Sequence, residues 1–250
     1  MTAIKAEFLS WTPLLNGKKG FPRDRRGNPY IPGRFLIQAV QSSIIFYYTG
    51  KDKFVEKRIR RYLTGGFRAA KVVPDMLNIV IDRYDVLTGF WVPDRIYIPS
   101  ENVRTVTAVV YDIEKDEEVE AIDVEAFIGT TTFKINMKAP EKIKAAAHSF
   151  SESLARIERD FVEEIEPLKK FYDEYINELK KQQIPLRMGW WTDNRYDGSL
   201  LFFWKIKEVR DEIIKKFGID ILPRRIIYVV SENAPAGWGE IKITPENEGA

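Results

Sequence analysis

The sequence predicts an α+β chain. Helical and strand-like patterns alternate irregularly along its 250 residues, with no repeating strand–helix–strand unit of roughly 30 residues. Apolar spacing switches between two residues and three to four, so both element types are present. Hydrophobic residues make up 44% and charged residues 30%, ordinary for a globular protein and wrong for a disordered one. No internal repeat or low-complexity linker marks a boundary, so residues 1–250 read as one domain.

The elements follow in order. Ile4, Ala6, Phe8 and Trp11 form a β-like opening that ends at Pro13. Residues 16–32 are rich in Gly, Pro, Arg and Lys without apolar periodicity and read as a loop. Phe35, Leu36, Ala39, Val40 and Ser43 recur at helical spacing after Pro32-Gly33, predicting a helix to about Tyr48. A basic helix is expected from Lys53 to about Leu63, and residues 77–81 (Leu-Asn-Ile-Val-Ile) read as a strand. Strands are expected at 95–98, 106–111 and 132–138, with the acidic stretch between the last two as a hairpin tip or loose loop. Leu154, Ile157, Phe161, Ile165, Leu168, Phe171, Tyr175 and Leu179 step by three or four, predicting a long amphipathic helix from about 150 to 181. Ser149 with Glu152 fits a capping box at its start, and Pro167 should kink or divide it. A β segment near 200–206, a helix over 207–217 and strands at 225–230 and 240–243 complete the reading. Two-thirds of the chain can then form one antiparallel sheet with helices on one face, as in ferredoxin-like folds.

Cysteine is absent, which removes disulfides and thiolate chemistry and fits a reducing, cytoplasmic setting. No stretch approaches 18 uninterrupted apolar residues and no signal-peptide pattern opens the chain, so neither export nor a membrane span is expected. The net charge of +2 says little, but its distribution is segregated. Residues 18–34 hold six basic residues against Asp24, residues 53–71 hold seven against Glu56, and residues 112–125 hold eight acids against one Lys. That pattern suits one face for phosphate and another for a protein neighbour.

Much chemistry is missing. His148 is the only histidine, placed by the pattern near the start of the long helix as a surface or cap residue, and multi-His or Cys metal sites are impossible. No Walker A cradle occurs, and Gly237-Trp238-Gly239 is too short for a dinucleotide fingerprint. Asp82 and Asp85 bracket the end of a predicted strand and read as turn residues. No catalytic residue, metal or cofactor is expected.

Asn28-Pro29-Tyr30-Ile31-Pro32-Gly33, followed directly by a helix, is the most specific local motif. The prolines stiffen an extended approach, Gly33 lets backbone N–H groups face outward, and Arg34 adds a fixed charge beside a helix start suited to an anion. The motif resembles the helix start of the RAMP superfamily of CRISPR-associated proteins, Pro/Tyr-Ile-Pro-Gly-Ser-Ser-x-Lys-Gly-x-x-Arg. Further stretches agree: Thr12 to Gly17 resembles the family's opening after its first strand, and residues 121–136 resemble the turn before a core strand. Residues 187–191, 223–225 and 235–239 resemble the C-terminal part of the type III-A subunit that caps the crRNA 3′ end. The chain departs from the pattern with Arg34-Phe35 for Ser-Ser and with Ile37 and Gln41 in the helix. Arg23-Asp24 matches the Arg-Asp that precedes the family motif, and residues 16–23 hold no acid where the cleaving Asp of the backbone subunit would stand.

The resemblance implies a ferredoxin-like, RRM-related RAMP core with a long β insertion at about 90–131 and an additional helical segment at about 141–182. It implies a non-catalytic crRNA-binding and assembly subunit of a type III CRISPR effector, meeting crRNA, target RNA where present, and other effector subunits. A metal-dependent ribonuclease of the same superfamily, cleaving target RNA or processing crRNA, is the alternative. The family mainly clamps the RNA backbone with helix starts, loops and a protruding hairpin. Candidate contacts are accordingly Lys18, Lys19, Arg23, Arg25 and Arg26 in the loop, and Gly33, Arg34, Gln38 and Gln41 at the helix start. Arg68 in the second basic block and Arg95 and Arg104 in the insertion join them, as do Arg187, Trp190, Arg224, Arg225 and Trp238 near the C terminus. Trp190, Trp191 and Trp238 stand beside glycines, a setting open to either a core ring or one offered to a base.

Overall fold

The computed structural model describes residues 3–64, 72–189, 200–207, 210–212, 215, 222 and 225–244, excluding the side chains of 62–64, 72 and 73. It is a mixed helix-and-sheet chain with antiparallel pairing throughout, an α+β protein.

The strands divide between two main sheets and a ribbon, where the sequence suggests one sheet. In the first sheet, β1 (Ile4–Ser10) lies between β7 (Thr130–Ile135) and β11 (Trp238–Ile243), and β8 (Ile184–Arg187) adds to β11. Period-two alternation explains the facing: Ala6 and Phe8 are buried on β1, as are Thr131, Phe133 and Ile135 on β7. The second sheet has the order β10 (Ala234–Pro235), β9 (Arg225–Val229), β5 (Val103–Asp112), β6 (Glu117–Phe127), β2 (Leu14–Leu15). Val106, Ala108 and Val110 of β5 join Val124 and Ala126 of β6 and Ile227 and Val229 of β9 in a core of their own. Of the insertion at 90–131, residues 103–127 are built into this sheet, with β5 at its centre, and are not a free-standing protrusion. The acidic stretch is a hairpin tip at 113–116 followed by strand β6. Because β2 pairs only with Ala126 and Phe127, no strand among the described residues covers the outer edge of β6 over 117–125.

Helix α1 (Gly33–Lys51) buries Phe35, Leu36, Ala39, Val40, Ser43 and Ile44 at the expected spacing. Asp52 ends it and starts α2 (Lys53–Thr64): its N–H donates to the Tyr48 carbonyl at 3.0 Å, and its Oδ1 accepts the Phe54 N–H at 2.7 Å. Residues 77–81, a strand by their residue types, form the middle of α3 (Val72–Tyr84). Met76, Leu77 and Val80 are buried while Asn78 and Asp82 are exposed, a helical stripe that a five-residue apolar run alone cannot reveal. Asp82 is thus helical, and Asp85 follows with φ of 51° and pairs with Lys138.

The long helix is two helices. α4 (Pro140–Phe161) begins ten residues before the expected start at about 150, with Pro140 at its first position after Ala139. Ser149 and His148 are consequently inside the helix, where the Ser149 carbonyl accepts the Ser153 hydroxyl and the His148 ring meets the Gln182 carbonyl at 2.9 Å. Pro167 sits in the first turn of α5 (Glu166–Leu179), where a missing N–H is tolerated, and the chain breaks before it. Ile143, Ala146, Ala147, Phe150 and Leu154 bury the α4 stripe, and Phe150 meets Phe46 of α1 edge-to-face at 5.5 Å. Leu201–Lys205 is a 3-10 turn, not a strand, with Leu201, Phe202 and Phe203 buried. Lys207 and residues 210–212 and 215 are helical, and the rest of the expected 207–217 helix lies outside the described residues.

Candidate nucleic-acid interface

The third β unit is a two-stranded ribbon of β3 (Tyr30–Pro32) and β4 (Arg95–Tyr97), with Tyr30 opposite Tyr97, Ile31 opposite Ile96 and Pro32 opposite Arg95. Alternation sorts its faces: Ile31 and Ile96 are buried in the main core, leaving Tyr30, Tyr97, Pro32 and Arg95 on the other side. The Tyr30 and Tyr97 rings meet edge-to-face with centroids 6.1 Å apart, and the Arg95 guanidinium lies 5.2 Å from the Tyr30 ring centre. Tyr97 is 47% exposed.

A turn over 24–28 extends this surface. Asp24 Oδ1 accepts the Arg26 and Asn28 N–H groups at 2.8 and 2.9 Å, and Asn28 Nδ2 donates to Oδ2 at 3.2 Å. These bonds, the Asn28 N–H foremost, hold the Asp24 carboxyl below its ordinary range, and the Tyr97 hydroxyl adds to them. Asp24 thereby pins a turn that carries Arg25 and Arg26 in solvent. Lys19, Arg25, Arg26, Arg34 and Arg95 are all exposed, with no carboxylate at ion-pair distance among the described residues.

The structure redistributes the other expected contacts. The acidic block, expected to face solvent or a neighbour, is partly seated on the chain's own loop: Lys18 pairs with Glu120, and Arg23 grips Glu125 with two bonds of 2.7 and 3.1 Å. Glu125 also accepts the Phe21 N–H at 2.8 Å, an approach possible because Gly20, at φ +77°, has no Cβ; one there would lie 2.2 Å from the carboxylate. Lys18 and Arg23 are thus spoken for. Gly33 does not present its N–H outward: it donates to the Asp94 carbonyl at 2.9 Å, and a Cβ would meet the Pro93 carbonyl at 2.1 Å. Arg34, Gln38 and Gln41 do share one helix face by their spacing, with Arg34 and Gln38 exposed and Gln41 half-buried. Arg104 of β5 pairs with Glu232 at 2.6 Å, and Arg225 of β9 with Asp112 of β5 at 3.0 Å.

Arg187, expected as an RNA contact, is a core residue, and Trp238, which the sequence leaves open between a core ring and one offered to a base, lies in the core as well. Trp238 is fully buried, and Arg187 lies 5.0 Å from its ring centre while its Nη1 donates to Glu158 Oε2 at 2.7 Å. The Tyr172 hydroxyl donates to the same oxygen at 2.6 Å. Burial pushes the Glu158 carboxyl up, and Arg187 and Tyr172 pull it back. Arg68, Trp190 and Arg224 lie outside the described residues.

The second basic block stands apart. Lys53, Lys57 and Arg58 are exposed on α2 beside Phe54, whose ring lies 4.4 Å from the Arg83 guanidinium. The length of α1 separates this surface from the ribbon by roughly 28 Å. Sequence reasoning misses Tyr30 and Tyr97. Tyr30 stands inside the Ile-Pro-Gly motif, but only the strand pairing brings Tyr97 against it.

No protein-family model matches the chain. Its fold is similar to that of a chain in the cryo-EM structure of a Csm–crRNA–target RNA ternary complex of a type III-A CRISPR-Cas system, with a TM-score of 0.58, 16% identity and coverage of 93% of this chain and 79% of that one. A looser overlap, TM-score 0.45 at 15% identity over 87% and 72% of the two chains, is found with the crystal structure of Csm5 from T. onnurineus. The fold class is therefore that of an α+β chain built like one in the first of these complexes. In sequence it is 31% identical over 239 residues to an uncharacterized protein of Aquifex aeolicus (strain VF5), covering 94% of this chain and 98% of that protein, and it belongs to the same family.

Proposed function

We propose that the chain is a non-catalytic RNA-binding and assembly subunit of a type III CRISPR ribonucleoprotein effector, built on a ferredoxin-like, RRM-related RAMP core. The observation that carries the reading is the set of exposed cations without ion-pair partners among the described residues, Arg25, Arg26, Arg34 and Arg95, carried by the 24–28 turn, the ribbon and the start of α1, with Lys19 exposed in the loop before them. Cations left without carboxylate partners on a rigid support suit the sequence-independent capture of a phosphate backbone. The likeness to a chain of a Csm–crRNA–target RNA complex supports crRNA, target RNA and other effector subunits as partners. The sheet of β7, β1, β11 and β8, with α1 and α4 packed together beside it, supports the RAMP-type core. The non-catalytic part rests on Asp24, the one acid of the loop, whose two oxygens are committed to holding the turn.

Single-stranded RNA binding measured against salt tests the reading. Arg25→Ala with Arg26→Ala should flatten the log–log slope by about 0.7 for each phosphate no longer engaged; an unchanged slope would remove this surface from consideration. In the assembled complex with Mg²⁺, Asp24→Asn keeps the acceptor that holds the turn while removing the charge. Loss of a specific RNA cut in that variant would overturn the non-catalytic reading.

A further inference from the structure

We infer that the Tyr30–Tyr97 face of the ribbon seats an unstacked nucleobase of a single RNA strand, an inference that rests on the RNA-binding reading above and adds a base contact to its phosphate contacts. Three observations meet here. First, β3 and β4 commit Ile31 and Ile96 to the core, so the ribbon is already anchored without its outer face; the two tyrosines on that face are not needed to hold it down. Second, the rings meet edge-to-face at an interplanar angle of 66°, an arrangement that leaves flat ring surface uncovered, and Tyr97 keeps 47% of its surface in water. Third, cations stand around the face: Arg95 beside the Tyr30 ring, and Arg25 and Arg26 on the adjoining turn, with no carboxylate at ion-pair distance among the described residues, while the acid of that turn, Asp24, accepts the turn's own N–H groups.

An aromatic face beside unpaired cations fits a ligand that alternates flat rings with phosphates, and a strand of nucleic acid is that ligand. A duplex hides the faces of its bases, so the strand must be single. The turn beside the seat is fixed before anything binds, with Asp24 accepting the Arg26 and Asn28 N–H groups, so little turn freedom remains to be lost. Because a ring face meets every base alike, the seat distinguishes a base from no base and does not read sequence.

The test compares binding of the full chain to a short single-stranded oligoribonucleotide and to the same strand bearing abasic residues, by fluorescence anisotropy across a salt series. Wild-type protein should bind the base-bearing strand roughly tenfold more tightly. Tyr97→Ala should erase that preference while leaving the salt slope as it was, and Tyr97→Phe, which keeps the ring, should retain the preference. Equal wild-type affinity for the two strands, or a preference that survives Tyr97→Ala, overturns the base seat while the salt slope still reports phosphate contact. The wild-type comparison needs no variant, so a folding defect in Tyr97→Ala cannot rescue the idea. Binding to neither strand would overturn this inference together with the RNA-binding reading.

Discussion

The molecule sets an arginine on an aromatic ring in two places, and the two have opposite fates. Arg187 lies 5.0 Å from the centre of Trp238, and Arg95 lies 5.2 Å from the centre of Tyr30. The first pair is sealed inside, between α4, α5, β8 and β11, with Glu158 supplying the opposite charge. The second is at the surface of a short ribbon with no carboxylate at ion-pair distance among the described residues. Stacking geometry alone does not mark an arginine as structural; burial together with an acid partner does. The resemblance offers Arg187 and Arg95 alike as RNA contacts and leaves Trp238 open, because a sequence motif registers residue type and not the acid that arrives from a helix 29 positions away.

The largest effect expected from breaking the comparison is at the buried pair. Arg187→Ala leaves Glu158 charged or protonated in the core without its partner, and urea denaturation should show a loss of about 3–5 kcal/mol. Replacing Glu158 and Arg187 together by apolar residues of similar volume should be close to neutral, or stabilising. If Arg187→Ala left stability intact and instead flattened the salt slope of RNA binding, the assignment of the two arginines would have to be exchanged. At the surface site, Arg95→Ala should leave the melting temperature unchanged and reduce the salt slope by about 0.7.

A smaller effect sharpens the division within the basic loop. Arg23, helped by the Phe21 N–H, holds the Glu125 carboxyl below its ordinary value of 4.5 against the opposing effect of burial. The depressed folded value means this contact stabilises the loop above pH 4.5 and is lost as pH falls through the lowered value. The Phe21 amide resonance, followed by NMR on acidification, should move with a midpoint below 4.5; a midpoint at or above it would mean that Arg23 is free for RNA. The smallest effect is at Arg104, whose exposed pair with Glu232 should contribute at most about 1 kcal/mol, so Arg104→Ala should change neither the melt nor the RNA slope appreciably.

What the sequence makes legible follows from how local the physics is. β1, α1, α2 and the division near Pro167 rest on alternation, helical spacing and a missing N–H, all of which act within a few residues. The errors fall where distant chain decides. Residues 77–81 have strand-like residue types but are held as a helix, with Met76, Leu77 and Val80 in the main core. The acidic stretch looks like a tip, yet its second half is a strand because β5 offers a ladder and Arg23 and Lys18 quiet two of its carboxylates. Position 33 by itself suggests a helix start open to an anion, whereas it is glycine because the Pro93 carbonyl passes where a Cβ would stand. Part of the candidate site is visible as a basic run before an Ile-Pro-Gly motif. The tyrosine face is not, since 67 positions separate Tyr30 from Tyr97 and only the register of β3 with β4 joins them.

The edge of β6, which no strand among the described residues covers, sets how this chain behaves when crowded. A strand with free N–H and C=O groups is a template on which another strand can grow, and here the hairpin carries Glu114, Asp116, Glu117, Glu118 and Asp123 in solvent. Two such edges brought together repel each other through their carboxylates at neutral pH, so the acids act as gatekeepers against sheet-to-sheet stacking. Replacing them by their amides removes the guard while leaving the template, and concentrated samples of that variant should turn cloudy where the wild type stays clear. Val119 and Ala121, exposed on that edge, would then be the first apolar side chains to find a partner.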